Sequence, residues 1–150
     1  SFLKVIQSVP EKDASIALTK LMASAKQTEK ALAETRDALL GYEAKEYAHA
    51  GEAVVGRVFE NRTIQELQKL ARFMTTENAD VIALLVANNE DKLQFVAARG
   101  TNVEISMKSV SAAVLPLING KGGGNNALVQ GGGEKIVAPT ALVDAMRAAL

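Results

Sequence analysis

The sequence predicts an α/β protein in which a long N-terminal helix precedes a small β-α-β-β-α-loop-α domain with a helix-covered sheet. Three observations indicate this class. Apolar residues recur at steps of three and four over residues 11–50. From Gly51 onward, strand-like and helix-like segments alternate, and a glycine-rich stretch separates the last two helices. We therefore divide the chain into a helical arm (1–50) and an α/β domain (51–150) that carries a glycine-rich loop (119–134).

The arm is predicted to be one long helix with a coiled-coil-like seam. Its seam positions alternate at steps of four and three, which keeps them on one side of a helix, and they include Leu18, Leu21, Ala25, Leu32, Leu39 and Tyr42. A helix over residues 11–50 would be roughly 60 Å long at about 1.5 Å per residue, which is too long for a small domain to bury. The seam therefore packs on a second copy of the chain, packs on a neighbouring domain, or belongs to an exposed spacer.

The α/β domain is predicted from six segments of contrasting periodicity. Three have the apolar content of strands, and the last two of these form a hairpin across the turn "NEDK"; they are 53–60, 80–88 and 93–100. The run "DVIALLVAN" within them is continuously apolar, as in a central strand that is buried on both faces. Three other segments have helical periodicity, namely 63–78, 104–119 and 139–150. Thr63 and Glu66 form a capping box at the start of the first helix.

Composition excludes several classes of active site. Lysine and arginine total 17 and so do aspartate and glutamate, so net charge gives no argument for a nucleic-acid partner. The chain has no cysteine and a single histidine, which excludes disulfides, thiolate zinc sites and histidine-pair metal motifs. That histidine, His49, ends a predicted helix with no nucleophile motif near it. We predict no catalytic residue, no metal site and no cofactor in this chain.

Two further features bear on where the chain belongs. No apolar run approaches the roughly 18–20 residues that span a bilayer, so we expect no membrane partner. The absence of cysteine is compatible with a cytoplasmic protein, which is the location we expect. The chain begins at Ser1 without an initiator methionine, so we expect it to be a piece of a longer protein.

The stretch "NGKGGGNNALVQGGGE" (119–134) holds seven of the eleven glycines. A helix cap at Asn119 and Gly120 would explain one or two of them, but not two triplets. A nucleotide phosphate loop does not fit, because Leu115 stands where the first glycine of that motif belongs and a helix precedes the stretch. The third interpretation is a backbone surface that a polymer approaches closely, where bare N–H groups contact phosphate or ribose oxygens.

The side chains of the stretch are consistent with that third interpretation. Lys121 supplies a cation, and Asn125, Asn126 and Gln130 supply amide donors and acceptors that suit RNA sugars and bases. Arg99 and Lys108 are predicted to flank the same end of the domain, although each is also explained as an ordinary solvated charge.

The segment "GKGGGNNALVQGGG" (120–133) resembles the signature of the C-terminal domain of alanyl-tRNA synthetases. The long form of AlaX, a free-standing alanyl-tRNA editing protein, has the same region, and both belong to the DHH-associated domain family. The matching positions are Lys121, Gly122, Gly123, Gly124, Gln130, Gly131, Gly132 and Gly133. The order of elements and the leading helix also fit, so the resemblance covers essentially the whole chain. Asn125 and Asn126 depart from the arginine-proline of synthetases, which makes amide hydrogen bonding the expected mode of contact and favours the long AlaX as parent.

The resemblance implies a tRNA-binding C-terminal module that is not catalytic by itself. In that family the domain binds tRNA at the outer corner of its L shape, and the helix can support a homodimer. Catalysis lies elsewhere: a zinc-dependent domain of the editing proteins hydrolyses mischarged tRNA(Ala), whereas a synthetase parent would use ATP. We therefore expect tRNA, and specifically tRNA(Ala), as the partner, with the residues of the glycine stretch, Arg99 and Lys108 as the binding residues.

Two alternatives remain open from the sequence. The chain could be a purely structural dimerisation arm. It could instead be a nucleotide-binding accessory domain of a DHH-type phosphoesterase, although that branch carries a histidine just after the glycines, and none is present here.

Overall fold

The computed structural model describes residues 31–150. Residues 31–48 form helix α1. The elements that follow it in chain order are β1 (Val54–Glu60), α2 (Ile64–Glu77), β2 (Ile82–Asn89), β3 (Lys92–Arg99), α3 (Lys108–Val114), a 3-10 turn (Leu115–Ile118), β4 (Lys121–Gly124), β5 (Leu128–Glu134) and α4 (Pro139–Ala148). The predicted α/β class is confirmed.

One five-stranded sheet forms the centre of this part of the chain, with strand order β1-β2-β3-β5-β4. β1 and β2 are parallel because α2 connects them, and the remaining pairs are antiparallel. Residues alternate between the two sheet faces along each strand. One face carries Leu85 and Val96 in a core with α2, and the other carries Phe95 in a core with α3 and α4.

The central elements form for the reasons that their sequences indicate. The Thr63 hydroxyl accepts a hydrogen bond from the backbone N–H of Glu66 at 3.2 Å, so Thr63 caps α2 as predicted. Leu67, Leu70 and Met74 lie on the buried side of that helix. β2 is buried on both faces from Ile82 to Ala87, as its uninterrupted apolar run predicts.

The glycine stretch differs from the sequence prediction, because it is a β-hairpin rather than a loop and gives the sheet five strands instead of three. Glycine has a low intrinsic preference for strands, but here the absence of side chains is required by packing. A Cβ atom at Gly131 would lie 2.8 Å from the Phe95 ring, and one at Gly133 would lie less than 3.0 Å from the Ile118 carbonyl oxygen. β5 therefore forms a strand despite its glycines, because residues with a side chain would not fit against Phe95 and Ile118.

The end of α1 belongs to the compact unit Leu39–Leu150. Leu40 and Ala44 are buried in the core on the α2 side of the sheet. The Arg62 guanidinium, which lies over the Phe59 ring, donates two hydrogen bonds of 3.0 and 2.9 Å to the Glu43 carboxylate. These hydrogen bonds to Glu43 raise the pKa of Arg62 above its ordinary value. The helix end is therefore fixed to this unit by both apolar packing and an ion pair.

The predicted seam can be followed only in part. Leu18, Leu21 and Ala25 lie outside the described residues. Leu32, Leu39 and Tyr42 are 51%, 62% and 69% exposed. The seam and its role in a dimer stay predictions, as does the division of the chain near residue 51.

Candidate nucleic-acid interface

The glycine hairpin lies at one edge of the sheet. All four residues of β4 are exposed, and β5 is the one strand with which β4 pairs. In that ladder, Lys121 lies opposite Gly132 and Gly123 lies opposite Gln130. An edge strand presents unpaired backbone N–H and C=O groups to its surroundings. Because three of its four residues have no side chain, this edge lets another molecule approach the backbone directly.

The Asn125 side chain shapes the tip of the hairpin. Its Oδ1 atom accepts hydrogen bonds from the backbone N–H groups of Ala127 at 2.8 Å and Leu128 at 2.9 Å. Its own backbone N–H donates to the Leu128 carbonyl oxygen at 2.9 Å. Gly124, immediately before it, has a φ of +148°, a value that L side chains rarely adopt. The amide oxygen that the sequence assigned to RNA is therefore engaged in the turn.

Asn126 anchors the same tip to the segment between β3 and α3. Its carbonyl oxygen accepts from the Met107 backbone N–H at 2.9 Å and from Arg99 Nε at 3.1 Å, and its Oδ1 accepts from the Ser106 hydroxyl at 2.9 Å. Arg99 also donates through Nη1 to the Val103 carbonyl oxygen. The structure thus brings Arg99 to the tip, as predicted, but gives its guanidinium two internal acceptors.

The two lysines of the predicted site are exposed and lie at different ends of β4. Lys121 begins the strand. Lys108 begins α3, and its backbone N–H donates at 3.3 Å to the Ser106 hydroxyl, the group that binds Asn126 at the hairpin tip. At about 3.3 Å per residue, the backbone of Lys121 is roughly 13 Å from Asn125. The hairpin edge therefore has a cation near each end.

Internal contacts explain most of the glycines. A Cβ atom at Gly122 or Gly124 would lie less than 3.0 Å from a backbone carbonyl oxygen of β5. Positions 131 and 133 are blocked by Phe95 and Ile118, as described above, and a Cβ at Gly120 would lie 2.7 Å from the Gly132 carbonyl oxygen. Gly123 is the exception within the stretch, because nothing lies within 4 Å of the position of its Cβ. The fold therefore gives no steric reason for glycine at that position.

A groove runs along the hairpin on its α2 side. Gln130 lies opposite Val96, whose side chain faces α2, so Gln130 and its partner Gly123 face the same way. The groove has a volume of about 290 Å³. Its walls are the first turns of α2 and the two strands, with Ile64, Gln65, Gln68, Lys121, Gly122, Gly123, Gln130, Gly131 and Gly132 as lining residues. Sequence reasoning missed Gln65 and Gln68, because they have the pattern of an ordinary polar helix face.

The side-chain oxygen of Gln130 is unsatisfied beside this groove. Its Oε1 atom is buried and has no hydrogen-bond partner. Leaving a buried amide oxygen unpaired costs about 1–3 kcal/mol of stability, whereas an apolar side chain opposite Val96 would carry no such cost. The amide at position 130 is therefore not explained by the stability of the fold.

Neither a metal cluster nor a membrane span is present in the part of the chain that the structure describes. Within residues 31–150, no three His, Asp or Glu side chains are arranged to hold a metal ion. No helix in that part of the chain has the length and apolar character needed to cross a bilayer.

Searches with the sequence match neither a protein-family model nor a curated protein. A search of solved structures gives a different result. The structure is similar to the C-Ala domain of an alanyl-tRNA synthetase. That crystal structure is of the Aquifex aeolicus domain; it is 25% identical, superposes with a TM-score of 0.59, and matches 65% of this chain and 89% of the domain. The resemblance inferred from the glycine signature is thereby confirmed by a structural match to nearly the whole C-Ala domain.

Proposed function

We propose that this chain is a tRNA-binding accessory module whose binding surface is the edge formed by the β4–β5 hairpin. The observation that carries the proposal is the similarity to the C-Ala domain of an alanyl-tRNA synthetase. The local chemistry supports it, since β4 offers exposed backbone groups without side chains and lysines lie near both of its ends. Backbone N–H groups and lysines are the groups that contact nucleic-acid phosphates.

The finer form of the proposal concerns the partner and the parent protein. We propose tRNA(Ala) as the partner, and an alanyl-tRNA editing protein or an alanyl-tRNA synthetase as the parent. Catalysis, with zinc or ATP, would then belong to other domains of that parent. Asn125 and Asn126 in place of the arginine-proline of synthetases favour the editing protein.

The zero net charge sets an expectation for affinity. Phosphate neutralisation supplies most of the non-specific affinity of nucleic-acid-binding proteins, and this chain has as many acidic as basic residues. The isolated module therefore binds tRNA weakly, and a second module or copy raises the apparent affinity by linkage.

The test is binding of the 150-residue chain to tRNA(Ala) across a salt series, with single-stranded RNA of equal length as competitor. We expect salt-sensitive binding that the competitor does not abolish. Absence of binding at low salt, or complete competition by the single strand, would contradict a tRNA-binding module.

A second candidate function is dimerisation through α1, and a specific observation favours it. Leu39 and Tyr42 are one helical turn apart and more than half exposed, so the two side chains together form an apolar patch that a second copy of the helix would cover. The two functions are compatible, because these residues and the glycine hairpin belong to different elements. Sedimentation at increasing concentration distinguishes a dimer from a monomer.

A further inference from the structure

We propose that the groove between α2 and the β4–β5 hairpin receives one unpaired nucleotide of the bound RNA, whose base edge is recognised by the amides of Gln65, Gln68 and Gln130. This inference rests on the proposed function and goes beyond it, because it names the ligand group and adds two residues of α2. The predicted contact surface was limited to the glycine stretch, Arg99 and Lys108.

The groove has the size and position for a base. An engineered cavity of about 150 Å³ accommodates a benzene ring, and the groove volume of about 290 Å³ exceeds that. α2 packs mainly on β2 and β3, and the groove lies where the first turns of α2 pass the exposed strand β4. Lys121 lines it and is exposed, so its ammonium group is available to the phosphate of the same nucleotide.

Three glutamine side chains make the groove suitable for a base edge. Each amide offers two N–H donors and one carbonyl acceptor, and a base edge presents the same two kinds of group side by side. In a duplex, the Watson–Crick edge is already paired, so proteins recognise RNA bases mainly where they are unpaired. A groove with amides and a single nearby lysine therefore favours an unpaired nucleotide over a duplex.

Gln130 is the amide that the fold leaves uncommitted. Its Oε1 has no hydrogen-bond partner among the described residues, and rotation of the terminal amide exchanges the positions of its oxygen and nitrogen. Because Oε1 is buried, the terminal amide must rotate to present an acceptor to a ligand, and this rotation breaks no hydrogen bond to Oε1. A base edge would satisfy an atom that is unsatisfied in the free protein.

Gly123 keeps the groove open beside Gln130. The two residues lie opposite each other on one face of the ladder, and no atom comes within 4 Å of the position of a Gly123 Cβ. A Cβ atom at this position would therefore clash with nothing in the fold, and a longer side chain would begin on the groove side of the ladder. The internal contacts that require the neighbouring glycines do not apply here, and an incoming nucleotide supplies a reason for the missing side chain.

The experiment compares two matched leucine substitutions in the 150-residue chain. Gly123→Leu fills the groove, and Gly41→Leu adds the same side chain to a glycine of α1 that also has no atom within 4 Å of its Cβ position. We expect Gly123→Leu to weaken tRNA(Ala) binding at least tenfold, whereas Gly41→Leu stays within twofold of wild type. Gln130→Leu, and Gln65→Ala combined with Gln68→Ala, are also expected to weaken binding at least fivefold. Circular dichroism melts verify that each variant is folded.

Salt and ligand series separate this inference from the proposed function. The groove variants should keep the wild-type dependence of log K on log salt, because they remove no lysine or arginine. An RNA stem with one bulged nucleotide should bind at least fivefold more tightly than the same stem without it, and a bulged DNA stem shows whether the ribose contributes. If folded groove variants bind tRNA as wild type does, or if the bulge has no effect, the groove inference is wrong while tRNA binding stands. If the wild-type chain does not bind tRNA at low salt, both are wrong.

Discussion

Gly123 and Gln130 lie directly opposite each other in the β4–β5 ladder, and each is unexplained by the stability of the fold. The space beside Gly123 would accept a Cβ atom, and the buried Gln130 oxygen has no hydrogen-bond partner among the described residues. The other glycines of the hairpin are in contact with their surroundings. Packing therefore accounts for the other glycines of the hairpin, whereas Gly123 and Gln130 are available to a ligand.

The steric difference between the glycines can be measured without RNA. A methyl group at Gly133 would meet the Ile118 backbone carbonyl, which cannot move as a flexible side chain does. We expect Gly133→Ala to lower the free energy of unfolding by about 1–3 kcal/mol. Gly123→Ala should change it by no more than about 0.5 kcal/mol. Urea denaturation of both variants tests this, and equal effects at the two positions would contradict the hairpin packing.

Lys121 is expected to contribute a phosphate contact. Lys121→Ala should weaken tRNA binding and reduce the slope of log K against log salt by about one. Lys45→Ala, which removes an exposed lysine of α1 far along the chain from the hairpin, is the matched control and should leave the slope unchanged. If the slope is unchanged in Lys121→Ala, this residue makes no phosphate contact.

Arg99 is expected to act through the hairpin tip rather than through a phosphate. Its guanidinium donates to the carbonyl oxygens of Asn126 and Val103, and lysine lacks the fork that makes two such bonds. Arg99→Lys keeps the charge but should lower the free energy of unfolding by about 1–2 kcal/mol. Chemical denaturation measures the loss. If Arg99→Lys has the free energy of unfolding of the wild type, Arg99 is an ordinary solvated charge.

Arg62 and Glu43 are expected to couple the end of α1 to the strands. Their paired hydrogen bonds are partly shielded, with side-chain exposures of 29% and 22%. In a double-mutant cycle with Arg62→Ala and Glu43→Ala, we expect a coupling of about 1 kcal/mol. The cation–π contact with Phe59 is lost both in Arg62→Ala and in the double variant, so its contribution cancels in the cycle. Additive effects of the two substitutions would show that the pair contributes nothing.

The exposed seam residues give a test of assembly. Leu39→Lys combined with Tyr42→Lys should abolish a dimer formed through α1, because two charges would replace apolar contacts. Both residues are exposed, so the fold should be retained. Glu34→Lys, at an exposed position of α1 that the seam spacing skips, is the control for added positive charge. An oligomeric state that the double variant leaves unchanged would exclude the seam.

The sequence by itself determined the regular part of this protein. The helix cap at Thr63, the buried run of β2 and the alternation of helix and strand segments follow from periods and local hydrogen bonds, which neighbouring residues specify. The glycine signature also led to the C-Ala likeness, because its spacing is local. Arg99 does lie at the hairpin tip, but its role and that of Lys108 in binding stay predictions.

Only the tertiary structure decided what the glycines do. Their low strand propensity predicted a loop, but pairing with β3 and contact with Phe95 and Ile118 make β5 a strand. Gln65 and Gln68 could not be assigned to the site, because their positions opposite β4 and β5 depend on how α2 crosses the sheet. Contacts between residues that are distant in sequence fix these features, so no local pattern distinguishes Gly123, which is sterically unconstrained, from Gly131, which is packed.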